Sequence, residues 1–305
     1  MTKPNARVIC DSISERGHRL TTVEVTFHRF VLAEFNTHRV FSRNSASSRA
    51  IPVEKQLARV ETDPAWPVSW PCEQPGMQGG TELDGHDLED AFTLFRDVQE
   101  HTVQAISTYL DLHPEKANRL HKSLINRLLE PFMWHTVICS ATCYDNFFNQ
   151  RCSPLAQPEI RVAAESMLSA MYEQSTPSLV KYGDWHLPFI DKQDHEEAAR
   201  LVYTEPALGR QQPVEILKSV SVARCARVSY LTHDGQRSLL EDLKLYSRLV
   251  TASPMHASPL EHVATPVKEG DLTPGNFVGW GQYRHVIEHA ISQKKEREEE
   301  ETDGG

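Results

Sequence analysis

The stretch Thr37–Arg49 reads THRVFSRNSASSR. Its thirteen residues hold His38, Asn44, three arginines and five hydroxyl side chains, with Val40, Phe41 and Ala46 the only apolar members. That mixture is too polar for an ordinary core strand. Arginine forks and serine hydroxyls grip phosphate and carboxylate oxygens, and backbone N–H groups among small residues add neutral donors. Two readings fit the composition: an anion cradle, or a solvated surface loop.

Upstream, Thr21–Leu32 (TTVEVTFHRFVL) alternates Val23, Val25 and Phe27 with Glu24, Thr26 and His28, the period of a half-buried strand that delivers the chain into the cradle. Downstream, residues 61–86 carry Pro64, Pro67, Pro71, Pro75 and a run of glycines, and read as a long irregular loop. From Asp87 the apolar residues recur at helical spacing, and that helix should end before Pro114. A second helix is expected over Pro114–Leu129, a buried one over Phe132–Phe148, a break at Gln150–Pro158, and another helix over Glu159–Tyr172. Cys139 and Cys143, four apart on the expected buried helix, either face a metal together or are small buried hydrophobes. Pro177–Pro213 is weakly patterned, with Tyr182, Trp185, Phe189 and Tyr203 expected in satellite core. Val214–Tyr230 and Leu239–Val250 should be ordered, the latter as an amphipathic helix. The pattern predicts an α/β (α+β) fold, a sheet flanked by helices, with a single domain over residues 1–292 and an acidic disordered tail over 293–305.

The chain has 305 residues, 39% apolar, with a net charge of −10, which argues against wholesale nucleic-acid binding. It has no apolar run long enough to span a membrane and no hydrophobic signal core, so a cytoplasmic protein is expected. Six scattered cysteines without a C-x-x-C pair favour neither disulfides nor a metal.

Three further islands narrow the chemistry. FNQRCSPLAQPEI (148–160) places Arg151 at a helix break before Gln157 and Glu159; VARCARVSY (222–230) and MHASPLEH (255–262) add Arg227, Ser229, His256, Ser258, Glu261 and His262. With the cradle, these resemble the flavin-dependent thymidylate synthases. That family's RHR-x-x-S-x-N-x-x-S-x-R motif is matched by His38, Arg39, Ser42, Asn44, Ser47 and Arg49 at every spacing. Its LR and AQ-x-EI match Arg151 and Ala156, Gln157, Glu159 and Ile160, and its AR-x-x-LP is approximated by Asn126, Arg127, Leu129 and Pro131. ARVSY and HASPLEH resemble its ARVSF and H-x-SPFEH, which in the family precede the RHR motif. The order here therefore resembles a circular permutation, and FVGWGQYRH (277–285) echoes the strand into the cradle.

The resemblance implies a homotetramer with FAD at subunit interfaces, and reductive methylation of dUMP or UMP at C5 with methylenetetrahydrofolate and NADPH as co-substrates. It implies that Ser47, Ser48 and Arg49 hold the nucleotide phosphate, with Ser47 also catalytic, that Arg127 lies near that phosphate, and that Arg151 meets the uracil as a catalytic group. It implies that His38, Arg39, Asn146, His256 and Ser258 contact FAD; no metal is implied. Thr37 stands where the family has its first Arg, Ser45, Ala50, Glu34 and Leu155 also depart from the pattern, and Thr142 replaces an expected Arg. Gln282 and Arg284 are expected to compensate at the flavin. The permuted order also resembles the uridylate methylases of peptidyl-nucleoside antibiotic pathways, which accept the ribonucleotide. A non-catalytic nucleotide-binding protein that has lost flavin chemistry is the alternative.

Overall fold

The computed structural model describes residues 3–208, 211–235, 237–271 and 275–303. In chain order the elements are β1 (Asn5–Ser14), β2 (Arg19–His28), α1 (Leu32–Asn36), β3 (Ser42–Ser45), α2 (Val53–Thr62), α3 (Gly85–Leu112), α4 (Lys122–Leu128), β4 (Trp134–Ala141), α5 (Asp145–Arg151), α6 (Pro158–Tyr172) and β5 (Ser178–Val180). The C-terminal part adds α7 (Lys192–Thr204), α8 (Pro213–Arg227), α9 (Leu239–Thr251), β6 (Ala264–Pro266), β7 (Trp280–Gln282) and α10 (Tyr283–Asp303).

Five strands form a mixed sheet in the order β3-β4-β2-β1-β5, antiparallel except for the β1–β5 pair; β6 and β7 pair separately. The alternation of β2 sends Val23, Val25 and Phe27 to one face, where they meet Val137 and Cys139 of β4. On α6, Ile160, Ala163, Ala164, Met167 and Met171 recur at helical spacing and close over that face. Pro158 opens the helix at its first turn, where a missing N–H costs nothing.

The opposite face is polar yet buried. Thr22 Oγ1 meets Ser140 Oγ at 2.5 Å and His186 Nε2 at 2.8 Å, while Ser140 Oγ meets His262 Nδ1 at 2.8 Å. Burial pushes both His186 and His262 down to about 3, so the row is neutral at physiological pH. Over this face lies α8, buried nearly all round from Ile216 to Ala226, with α7 and α9 outside it. Arg224 joins the three helices: it donates to Asp194 at 2.6 and 2.8 Å and to Asp242 at 3.0 Å, all three side chains being buried.

Several expectations are corrected. The buried segment after Phe132 is a strand, β4, followed by the short helix α5; a fully buried run of this length lacks a period that separates strand from helix. Cys139 is therefore interior and Cys143 exposed, and they do not share a helix face. The helix before Pro131 begins only at Lys122. Both α2 and α7 fall where no helix was expected, Tyr203 is 90% exposed and Tyr182 is 39% exposed. The segment expected as a disordered tail continues α10 to Asp303, residues 304–305 lying outside the described residues. Glutamate and lysine are good helix formers, which suits the extension.

Candidate functional site

The cradle begins at the C-terminus of α1, where the last carbonyls lack helical partners. Arg151, at the end of α5, donates from Nη2 to the carbonyl of Glu34 (3.3 Å) and to Thr37 Oγ1 (3.0 Å), and from Nε to His38 Nε2 (3.0 Å). Thr37 Oγ1 in turn donates to the Glu34 carbonyl at 2.7 Å. Arg43 reaches the carbonyls of Asn36 and His38 from the same side. An arginine only donates, so His38 Nε2 is an unprotonated acceptor. Burial, with Arg151 and Arg43 nearby, holds His38 below its ordinary value. Nη1 of Arg151 makes no hydrogen bond among the described residues.

The distal half of the cradle is pinned between two elements. The amide of Ala46 donates to the carbonyl of Thr136 on β4, and that of Ser47 to the carbonyl of Ser229 just beyond α8. Buried Asn126, on α4, donates to the carbonyls of Ser48 and Ile51 and fixes the turn that follows. Ser48 points away from the cradle: its hydroxyl donates to Glu130 Oε1 at 3.1 Å, which also receives Arg29 at 3.0 Å and Arg127 at 3.4 Å. A carboxylate of the chain itself thus takes up the Ser48 hydroxyl and one amino group of Arg127, whose side chain is otherwise exposed.

Ser47 and Arg49 remain, and they line a cleft of about 490 Å³. Its other walls are Ser229 and Tyr230 after α8, His256, Ser258 and Pro259 in the turn before β6, and Leu245, Arg248 and Leu249 on α9. Segments at residues 44–50, 226–230 and 245–259 therefore meet in one concavity. Asn44, at its floor, donates to the carbonyl of Cys225 at 3.3 Å and ties β3 to α8. Among the described lining residues there is no carboxylate, although the chain carries a net charge of −10. Exposed arginines and hydroxyls without a counter-anion make a site for an anion. A larger groove of about 760 Å³ between α3 and α4 is walled mainly by apolar residues such as Val98, Ile106 and Leu128, and holds none of the motif residues.

The expected site residues thus fall into groups. Ser47, Arg49, His256 and Ser258 share the cleft, whereas His38 and Arg151 form the separate cluster at α1. His38 packs edge-on against Phe147 at 4.9 Å, which brings the chain at Arg39 close to that at Asn146; both side chains are exposed. Arg39 makes no hydrogen bond or ion pair among the described residues, and the side-chain Oδ1 of Asn146 accepts from Gln150 Nε2 at 3.2 Å. Arg284 is taken up by Glu261 at 2.6 Å and Glu288 at 2.8 Å, and Gln282 is buried, donating to Ser42 Oγ and the Glu261 carbonyl. Sequence reasoning missed Arg248 and Arg43. Arg43 sits inside the quoted cradle and could have been flagged; Arg248 lies on an amphipathic helix with no motif to mark it.

A family model described as thymidylate synthase complementing protein matches residues 13–177, more than half of the chain. Among solved structures, the chain is similar to thymidylate synthase X from Helicobacter pylori with FAD and dUMP, at 16% identity over 52% of this chain and 69% of that one, TM-score 0.35. It is also similar to the UMP/dUMP methylase PolB from Streptomyces cacaoi bound with 5-Br UMP, at 14% identity over 57% of this chain and 90% of that one, TM-score 0.45. No curated protein matches. With its cradle, Arg151 and the AQ-x-EI segment all inside the matched span, the chain belongs to the flavin-dependent thymidylate synthase family.

Proposed function

We propose that this protein methylates a uridylate, dUMP or UMP, at C5, using FAD with methylenetetrahydrofolate as carbon donor and NADPH as hydride source. The observation that carries this reading is the carboxylate-free cleft where Ser47 and Arg49 meet Ser229, His256 and Ser258. There the nucleotide phosphate is held by Arg49's fork and the Ser47 hydroxyl. Arg151, fixed by His38, Thr37 and the Glu34 carbonyl, keeps one amino group to offer a uracil carbonyl, where negative charge develops as C5 becomes nucleophilic. The names of the two solved relatives support the substrate class: one is crystallised with FAD and dUMP, the other is a UMP/dUMP methylase.

Of the residues expected at the flavin, Arg39 and Asn146 fit such a group, whereas His38 and Arg284 are engaged by other side chains and His256 and Ser258 line the phosphate cleft. Arg39 offers an uncommitted guanidinium to a diphosphate, with the Asn146 amide close by in the chain's course. Bound flavin would supply hydride and one-carbon transfer, which leaves no role for a catalytic cysteine; Cys139 and Cys225 are buried, and burial raises their thiols to about 12 or beyond. Because the phosphate cleft and the Arg151 cluster are separate in one chain, a homotetramer with sites completed at subunit interfaces is the assembly this reading favours. The family match ends at residue 177, while the islands that reach the cleft lie at 222–230 and 256–262; their convergence supports a circularly permuted chain order. Either uridylate remains a substrate in this reading, a uridylate methylase of the antibiotic-pathway type being one form of it, and a cytoplasmic location fits such a substrate.

Purified protein supplied with dUMP or UMP, the folate donor and NADPH should yield a nucleotide heavier by one methyl group. Absence of product from both nucleotides contradicts the proposal. Nucleotide binding without flavin absorbance or turnover would instead support the non-catalytic alternative, for which the engagement of Arg284 by Glu261 and Glu288 is the specific structural argument.

A further inference from the structure

We propose that Arg248, on α9, is a second phosphate-binding arginine of the cleft, acting with Arg49; this rests on the reading that the cleft takes a uridylate. A phosphate monoester carries about −1.5 to −2 charges at neutral pH, so one arginine leaves it undercompensated. The two residues expected to assist, Ser48 and Arg127, are drawn to Glu130. Arg248 is the other arginine that lines the cleft, and like Arg49 its guanidinium makes no hydrogen bond or ion pair among the described residues, although exposed Glu241 on the same helix lies within Coulombic reach of it. Most other arginines of the chain are paired, including Arg7, Arg19, Arg119 and Arg224.

The position of Arg248 is fixed from within. Asp242, buried six residues earlier on the same helix, accepts from Arg224 at 3.0 Å and from Arg227 at 2.7 Å, and so joins α9 to the end of α8 that carries Ser229 and Tyr230. The wall bearing Arg248 and the wall bearing Ser229 are thereby held as one unit. A cation in the last turn of a helix is favoured by the helix dipole, but that alone does not explain a cleft lined without a carboxylate.

The test is a titration of wild-type protein, Arg248→Ala and Arg248→Lys with UMP and dUMP, and with uridine and deoxyuridine, which lack the phosphate. Losing a charge-assisted contact should weaken uridylate binding by about tenfold to a hundredfold in Arg248→Ala, and by less in Arg248→Lys. Nucleoside binding should be unchanged, so the gap between nucleotide and nucleoside narrows. Unaltered uridylate affinity in Arg248→Ala, or an equal loss for nucleosides, overturns the role of Arg248 while leaving the proposed function standing. Failure of the wild-type protein to bind either uridylate overturns both. If Arg248→Ala does not fold, the same comparison is made with the lysine variant, where retained wild-type discrimination in low and high salt also counts against the assignment.

Discussion

Thr37 is the residue at which this chain departs most plainly from its family's motif. Its hydroxyl both receives Arg151 and donates to the Glu34 carbonyl, so it helps to orient the Arg151 guanidinium. Thr37→Val keeps the shape and removes both bonds. Turnover should then fall roughly threefold to tenfold, with uridylate affinity little changed, as read by kcat against Kd. The polar density of the cradle and the spacing of its motif were legible without a structure, because they are properties of residue order. The capture of Ser48 and Arg127 by Glu130 was not, since three side chains meet there from separate elements.

At the scale of elements, the helices that read correctly are those with one apolar stripe: α3, α6 and α9 bury a side and expose the other. Strand β4 was misread because it is an interior strand, between β3 and β2, with both faces covered, and its eight residues are all buried. The helix α7 went unrecognised because its key inward residue is Asp194, a carboxylate whose burial makes sense only beside Arg224. That network binds α7, α8 and α9 together. Arg224→Met would leave Asp194 buried without its main partner and Asp242 sharing only Arg227. Breaking a buried pair in this way should cost about 3–5 kcal/mol, measured by denaturant unfolding. A loss below about 1 kcal/mol would mean that the three helices are held by apolar packing alone.

At the scale of the whole molecule, three histidines are buried as neutral groups. Desolvation lowers His186 and His262 to about 3, against the pull of Asp11 on His186, and desolvation together with Arg29 and Arg59 does the same to His135. A histidine whose folded value is depressed stabilises the fold fully above its unfolded value near 6.5, and this is lost as pH falls toward 3. Unfolding at pH 6, above the ordinary carboxylate range, should therefore take up roughly two protons from the buffer onto these histidines, read by calorimetry in buffers of different ionisation enthalpy. Stability unchanged between pH 7.5 and 5.5 would contradict the neutral row. No helix among the described residues is long and apolar enough to cross a membrane.

The reaction itself is tested most directly by tritium release from uridylate labelled at C5, since methylation must displace that hydrogen. The account predicts release from dUMP or UMP that requires both the folate donor and NADPH and falls at least about tenfold in Arg49→Ala. No release from either nucleotide with all components present would contradict it.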